Sequence, residues 1–223
     1  MSEETWSAVD AFFEERLIEA DPALEAALRA SAAARLPSIQ VSASQGKFLQ
    51  LLALAQASKR ILEIGTLGGY STLWLARALP PDGRLVTLEI EPRHAAVARE
   101  NFGAAGLAEQ IDLHVGPALE TLARLRTQSP APFDFVFIDA DKPNNLNYVQ
   151  AAVDLSRPGT LIVVDNVVRR GAIVAAHPDE SADAVRRMAD WIAKEPRLRA
   201  TVIQTVGNKG YDGFLVARVE API

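Results

Sequence analysis

Cysteine is absent from the chain, and its absence excludes disulfides, zinc–thiolate sites and thiol nucleophiles together. A basic excess is missing too: 23 Lys and Arg stand against 28 Asp and Glu, a net charge of −5 that offers no general attraction to phosphate backbones or anionic lipid. Nucleic-acid and membrane partners are therefore not favoured. No window holds eighteen uninterrupted apolar residues, and the acidic start MSEETWSAVDAFFEER has no basic flank followed by an apolar stretch. A soluble, cytoplasmic protein is expected. Histidine is scarce, with three in 223 residues, so chemistry falls to carboxylates, Lys, Tyr and Asn. What the chain has is apolar content, 49%, enough for a full core in one domain spanning 1–223.

Residues 1–57 read as helices, with apolar positions at i, i+3 and i+4 in WSAVDAFFEERLIEA, PALEAALRASAAARL and SQGKFLQLLALAQ. The Ala-rich run at Ala30–Ala34 reads as plain helix. From 58 to 220 the pattern changes to a sheet core. Short apolar runs (RILEI, RLVTLEI, IDLHV, FDFVFI, TLIVV) alternate with helical segments, which implies a Rossmann-like α/β fold with a mostly parallel sheet covered on both faces. Near the end, ATVIQTV and GFLVARV are separated only by GNKGYD, too short for a helical crossover. They predict an antiparallel hairpin at the sheet edge and bring the strand count to seven.

The first strand leads into GTLGGYS, where Gly65, Gly68 and Gly69 allow backbone N–H groups to approach a ligand. This is not G-x-G-x-x-G, because Glu63 stands two residues before Gly65. A carboxylate there would repel a pyrophosphate, which argues against a nicotinamide dehydrogenase, and would favour a ligand of positive charge. Glu89, at the tip of the second strand, can hold both ribose hydroxyls. Together the two carboxylates suggest a nucleoside with a cationic, phosphate-free centre, as in S-adenosylmethionine; an ordinary tight turn with a solvated Glu89 is the plainer reading.

FDFVFI runs straight into Asp139, Asp141 and Lys142, and TLIVV into Asp165 and Asn166. Buried strands that end in carboxylates need a cation, a hydrogen-bond network or water. Either Asp alone reads as a helix cap or an Asx turn. As a pair with Asn166 they form a hard, all-oxygen set suited to Mg²⁺ or a related divalent ion such as Mn²⁺ or Ca²⁺. A cation nearby disfavours a lysine's ammonium form, which makes Lys142 a candidate base. The three histidines lie apart in sequence and read as structural or surface residues, with His94 on a solvent-facing helix start. Trp6, Phe12 and Phe13 could serve as core, as a lid or as a dimer face, and helical spacing most often means packing.

In order and spacing, ILEIGTLGGYS, VTLEIEP, GPALETL, FDFVFIDADK, GTLIVVDNV and YDGFLVA resemble the cation-dependent O-methyltransferases, the family of catechol and caffeoyl-CoA O-methyltransferases. The resemblance runs from about Val41 to Val219. It implies metal ligands at Asp139, Asp165 and Asn166 and a catalytic lysine at Lys142. It implies S-adenosylmethionine contacts from Val41, Glu63, Gly65, Ser71, Glu89, Ile90, Ala118 and Asp139, with Asp141 near the adenine, and a homodimer. The implied acceptor is a small aromatic molecule with vicinal hydroxyls; a hydroxylated tRNA base or an antibiotic precursor is the alternative. A binding protein that kept the pocket without the chemistry would have no need of Asp139, Lys142, Asp165 and Asn166 together. The chain departs from the family at Leu67 and Ala118, where the mammalian catechol enzyme has Tyr and Ser. It departs again at DNVVRRG, which puts Arg169 and Arg170 where Trp-Gly is common. With Tyr211, these arginines are candidates for acceptor recognition.

Overall fold

The structure, a computed structural model, describes residues 2–128 and 131–221. Three helices come first, α1 (Glu3–Leu17), α2 (Pro22–Ala33) and α3 (Ala43–Ala55). Strands and helices then alternate: β1 (Arg60–Ile64), α4 (Tyr70–Ala76), β2 (Arg84–Glu89), α5 (Pro92–Ala104), β3 (Ile111–Val115), α6 (Ala118–Gln128), β4 (Phe133–Ile138), α7 (Asn145–Asp154) and β5 (Ser156–Val164). Helix α8 (Glu180–Ile192) and strands β6 (Leu198–Gly207) and β7 (Gly210–Val219) complete the described chain. Side-chain oxygens fix several helix starts: Ser2 accepts from Thr5 N, Asp21 from Ala23 N and Leu24 N, Ser42 from Gln45 N, and Asp179 from Ala182 N.

Seven strands form one sheet in the order β3-β2-β1-β4-β5-β7-β6, parallel through β5 and antiparallel for the last two. This is the Rossmann-like arrangement with an edge hairpin that the sequence predicts. The hairpin strands are longer than expected and the turn tighter, because Gly207 pairs with Gly210 and only Asn208 and Lys209 lie between them. Strand β5 also begins earlier than the apolar run, at Ser156, with an irregular register opposite Phe133 and Phe135.

Alternation along the strands divides the core into two layers. Leu62, Ile64, Val136, Ile138 and Val164 face α6, α7 and α8, whereas Ile61, Phe135, Phe137 and Val163 face α2 to α5. Asp134 ties the starts of three strands together. Its carboxylate accepts from Lys59 N at 2.8 Å, Arg60 N at 2.9 Å and the Arg157 guanidinium at 2.7 Å. Burial opposes its charge, yet these donors hold its carboxyl below the usual range.

Helix α1 departs from the expectation of core packing: none of its residues is buried, and Phe12 and Phe13 are each 51% exposed. It is held instead by polar ties, Glu14 accepting from Ser44 N and Oγ, and Asp10 from Asn208 N. Among the described residues no helix is long and apolar enough to cross a membrane.

Candidate active site

Parallel strands point their carboxyl ends the same way, so the residues that follow β1, β2, β4 and β5 open onto one edge of the sheet. A cleft of ≈ 550 Å³ lies there. Of the residues named from sequence, Val41, Gly65, Ser71, Glu89, Ile90, Ala118, Asp139, Lys142 and Asn166 line it. Asp141 and Arg169 line it as well, while Arg170 is exposed on the loop beyond.

Gly65 starts the turn after β1 with φ +99°, and a Cβ at this position would lie 2.1 Å from the Asp139 carbonyl oxygen. Only glycine permits the two strand ends to approach so closely. The chain then folds back over Glu89, whose carboxylate accepts from Thr66 N at 3.2 Å, Leu67 N at 2.7 Å and Glu91 N at 2.9 Å. That network fixes the carboxylate on the cleft wall at the β2 end. His94 Nδ1 stands 3.5 Å from Glu89 and its ring faces the cleft, so the solvent-facing expectation for this residue does not hold. Helix α5 begins directly after β2 and folds over its end, which brings the first turn to the pocket.

Of the named residues, Glu63 and Asp165 are buried and do not line the cleft. Glu63 is fully buried behind the wall, where it accepts from Ser71 Oγ at 2.7 Å, Thr72 Oγ1 at 2.5 Å and Thr87 Oγ1 at 2.7 Å. Burial pushes its carboxyl up to about 7, the three hydroxyls oppose the rise, and Asp139 adds to it. Ser71 is both a cleft residue and a donor to Glu63, so it connects the buried charge to the open space.

At the β4 end, Lys142 Nζ donates to Asp139 Oδ1 at 3.1 Å, and the lysine side chain is only 9% exposed. Tyr148 OH donates to Asp141 Oδ1 at 2.5 Å, and burial with this carboxylate raises the phenol's pKa. At the β5 end, Asp165 is buried. Its Oδ1 accepts from Asn166 N and its Oδ2 from Gln45 Nε2, both at 2.8 Å. Burial and then the Asp139 charge push the Asp165 carboxyl upward, against Lys142, Asn166 N and Gln45. Asn166 holds a left-handed backbone, φ 57°, which Asn tolerates better than most residues.

A divalent cation fits this donor set. Two carboxylates converge where one is too buried to bear its charge easily, an amide stands beside them, and oxygen donors of this kind suit a hard ion. Among the described residues no group of three or more His, Cys, Asp or Glu is placed to hold a metal, so the set depends on the Asn166 amide. Gln45 gave no signal in the sequence. It is one polar residue in an apolar helix, and only the fold carries it to Asp165.

Known proteins match this chain along most of its length. The O-methyltransferase family model covers residues 14–218. A catechol O-methyltransferase of Mycobacterium tuberculosis is 57% identical over 95% of this chain and 94% of its own. Among solved structures, an O-methyltransferase from Bacillus cereus in complex with SAH is 50% identical with TM-score 0.96, covering 98% of this chain and 100% of that one. The O-methyltransferase TomG of Streptomyces achromogenes, involved in tomaymycin synthesis and solved with SAM, is 50% identical with TM-score 0.95, covering 99% and 100%. With its motifs in order and its cleft at the carboxyl ends of the strands, the chain belongs to the S-adenosylmethionine-dependent O-methyltransferase family.

Proposed function

We propose that the protein transfers a methyl group from S-adenosylmethionine to one hydroxyl of a catechol-like small molecule with the help of a divalent cation. The observation that carries this reading is the convergence of Asp139, Asn166 and Lys142 on the wall of a cleft that also presents Glu89, with Asp165 buried behind them and within reach of the Asp139 and Lys142 charges. The relatives from Mycobacterium tuberculosis and Niastella koreensis, both named catechol O-methyltransferases, support the acceptor class.

Val41, Gly65, Ser71, Glu89, Ile90, Ala118 and Asp139 form the wall for the donor, and Glu63 acts behind it through Ser71. Asp139, Asp165 and Asn166 would hold the cation, which when bound lowers the pKa of an acceptor hydroxyl from its phenolic value of about 10. Lys142 Nζ takes the hydroxyl proton. The acceptor oxygen then attacks the donor's methyl carbon as the carbon–sulfur bond breaks, and the walls supply alignment of two bound reactants. Charge cancels as the methyl moves, so a cleft that excludes water favours the step.

The same reading takes residues 1–223 as one domain in the cytoplasm, with helices over 1–57 and the sheet core over 58–220. It also takes the protein as a homodimer. Exposed Phe12, Phe13 and Leu17 on α1, Leu51 and Leu54 on α3, and Val202, Ile203 and Val206 on β6 support a self-association face. The Streptomyces achromogenes relative favours a second reading, an antibiotic precursor as acceptor with the chemistry unchanged.

The test is methyl transfer from S-adenosylmethionine to a panel of catechols, with chelator-treated protein and with Mg²⁺ restored. Metal-dependent product supports the reading; equal product in chelator removes the cation from it. Donor binding without product on any catechol moves the acceptor to the second reading.

A further inference from the structure

After β5 the chain turns through several strained positions. Asn166, Arg169 and Arg170 all have left-handed backbones, with φ of 57°, 55° and 53°. Each such non-glycine residue costs about 1–2 kcal/mol, so the loop needs external anchors. Strand β7 supplies them: Asp212 Oδ1 accepts from Val168 N at 3.0 Å and Arg169 N at 2.9 Å, and Gly213 O accepts from Val167 N at 3.0 Å. The backbone of Arg169 is thereby fixed, and the residue lines the same cleft as Asn166, Lys142 and Asp139.

Three other arginines near the sheet are engaged. Arg157 grips Asp134, Arg186 donates to Ile173 O and Ala175 O, and Arg197 grips Glu195. Arg169 is not engaged in this way. Its Nε is buried without a hydrogen-bond partner, and among the described residues its guanidinium forms no ion pair. A buried donor left without an acceptor is costly, and turning the guanidinium toward a bound anion would remove that cost. A guanidinium stays charged and offers parallel N–H groups that match a carboxylate.

Position separates Arg169 from the nucleoside end. In the order β2-β1-β4-β5, Glu89 ends the first of these strands and the loop that carries Arg169 leaves the last, whose end lies three strand spacings or about 14 Å away. Asn166 and Lys142 lie at the same end as Arg169.

We propose that Arg169 forms an anion-reading subsite at the acceptor end of the cleft, and that the preferred acceptor is a catechol bearing a carboxylate on its ring or a short side chain. The acceptor part of this inference rests on the catechol reading above. The donor's own amino-acid carboxylate is the other source of the same chemistry.

Calorimetric titrations of wild type, Arg169→Asn and Arg169→Lys, with Mg²⁺ present, distinguish the two. Asn suits the left-handed backbone, and matching melting temperatures check that the fold is intact. The ligands are 3,4-dihydroxybenzoate and neutral 4-methylcatechol, each with SAH bound, and SAH alone. Arg169→Asn is expected to weaken dihydroxybenzoate at least about tenfold and methylcatechol less than twofold, with SAH unchanged and Arg169→Lys intermediate. Equal losses for both catechols, or none, overturn the proposal, as does wild-type protein that binds neither. A loss confined to SAH overturns it too and assigns Arg169 to the donor. If wild type binds both catechols but methylates neither, the catechol reading of the function fails while the titrations still decide the role of Arg169.

Discussion

Gln45 and Asp165 are joined by a 2.8 Å hydrogen bond from Nε2 to Oδ2, which fastens helix α3 to the end of β5. The bond orients a carboxylate that is only 5% exposed and leaves it few other partners. Removing it by Gln45→Ala should weaken Mg²⁺ binding about 10–100-fold, the range found when a partner behind a metal ligand is lost. Titration of Mg²⁺ into the SAH-bound protein measures this, and SAH affinity itself should stay within about twofold. Unaltered Mg²⁺ affinity would relieve Gln45 of any part in the ion site.

Gly65 and Gly103 should respond in opposite ways to alanine. At Gly65 the new methyl meets the Asp139 backbone oxygen at 2.1 Å, at a φ of +99°. Neither backbone can yield, so Gly65→Ala should cost about 3 kcal/mol or more and abolish donor binding. At Gly103, inside α5, an added Cβ meets nothing within 4 Å, and alanine should add about 0.5–1 kcal/mol through helix propensity. Urea denaturation of both variants checks the contrast.

The Glu63 carboxyl, raised from 4.5 to about 7, makes the stability of the ligand-free protein depend on pH. A carboxyl with a raised folded-state pKa binds its proton more tightly in the fold, so its stabilisation is complete below about pH 4.5 and is lost as pH rises through about 7. The loss is on the order of 3 kcal/mol at most. Urea unfolding at pH 5 and pH 8 should show a fall in wild type that is clearly smaller in Glu63→Gln. Parallel behaviour of the two proteins would move the titration elsewhere.

Lys142→Ala should lower turnover by about 10²–10⁴, the usual contribution of a positioned base, and leave SAH affinity within about threefold. Single-turnover rates separate the two effects. Turnover close to wild type would show that another group takes the proton.

Much of the architecture is legible in the sequence because buried parallel strands are written as short apolar runs, and their carboxyl ends share one edge. Asp139 and Asp165, each directly after such a run, could be placed together without coordinates. Glu63 could not be placed as well. Its charge suggested a ligand contact, but strand alternation turns it inward to three hydroxyls whose convergence depends on β2 and α4. His94 was misread because sequence does not tell how closely α5 folds over the end of β2. The aromatic pair Phe12 and Phe13 has helical spacing that suggests packing, but within this chain it finds no core.

The anchor that Asp212 gives to the loop after β5 comes from a strand near the end of the chain. The conformation of that loop is therefore a long-range property of the chain, fixed by a residue 44 and 43 positions further along rather than by its own local sequence. A product cut short before residue 212 would keep β1, β2 and β4 and lack the support that fixes Arg169.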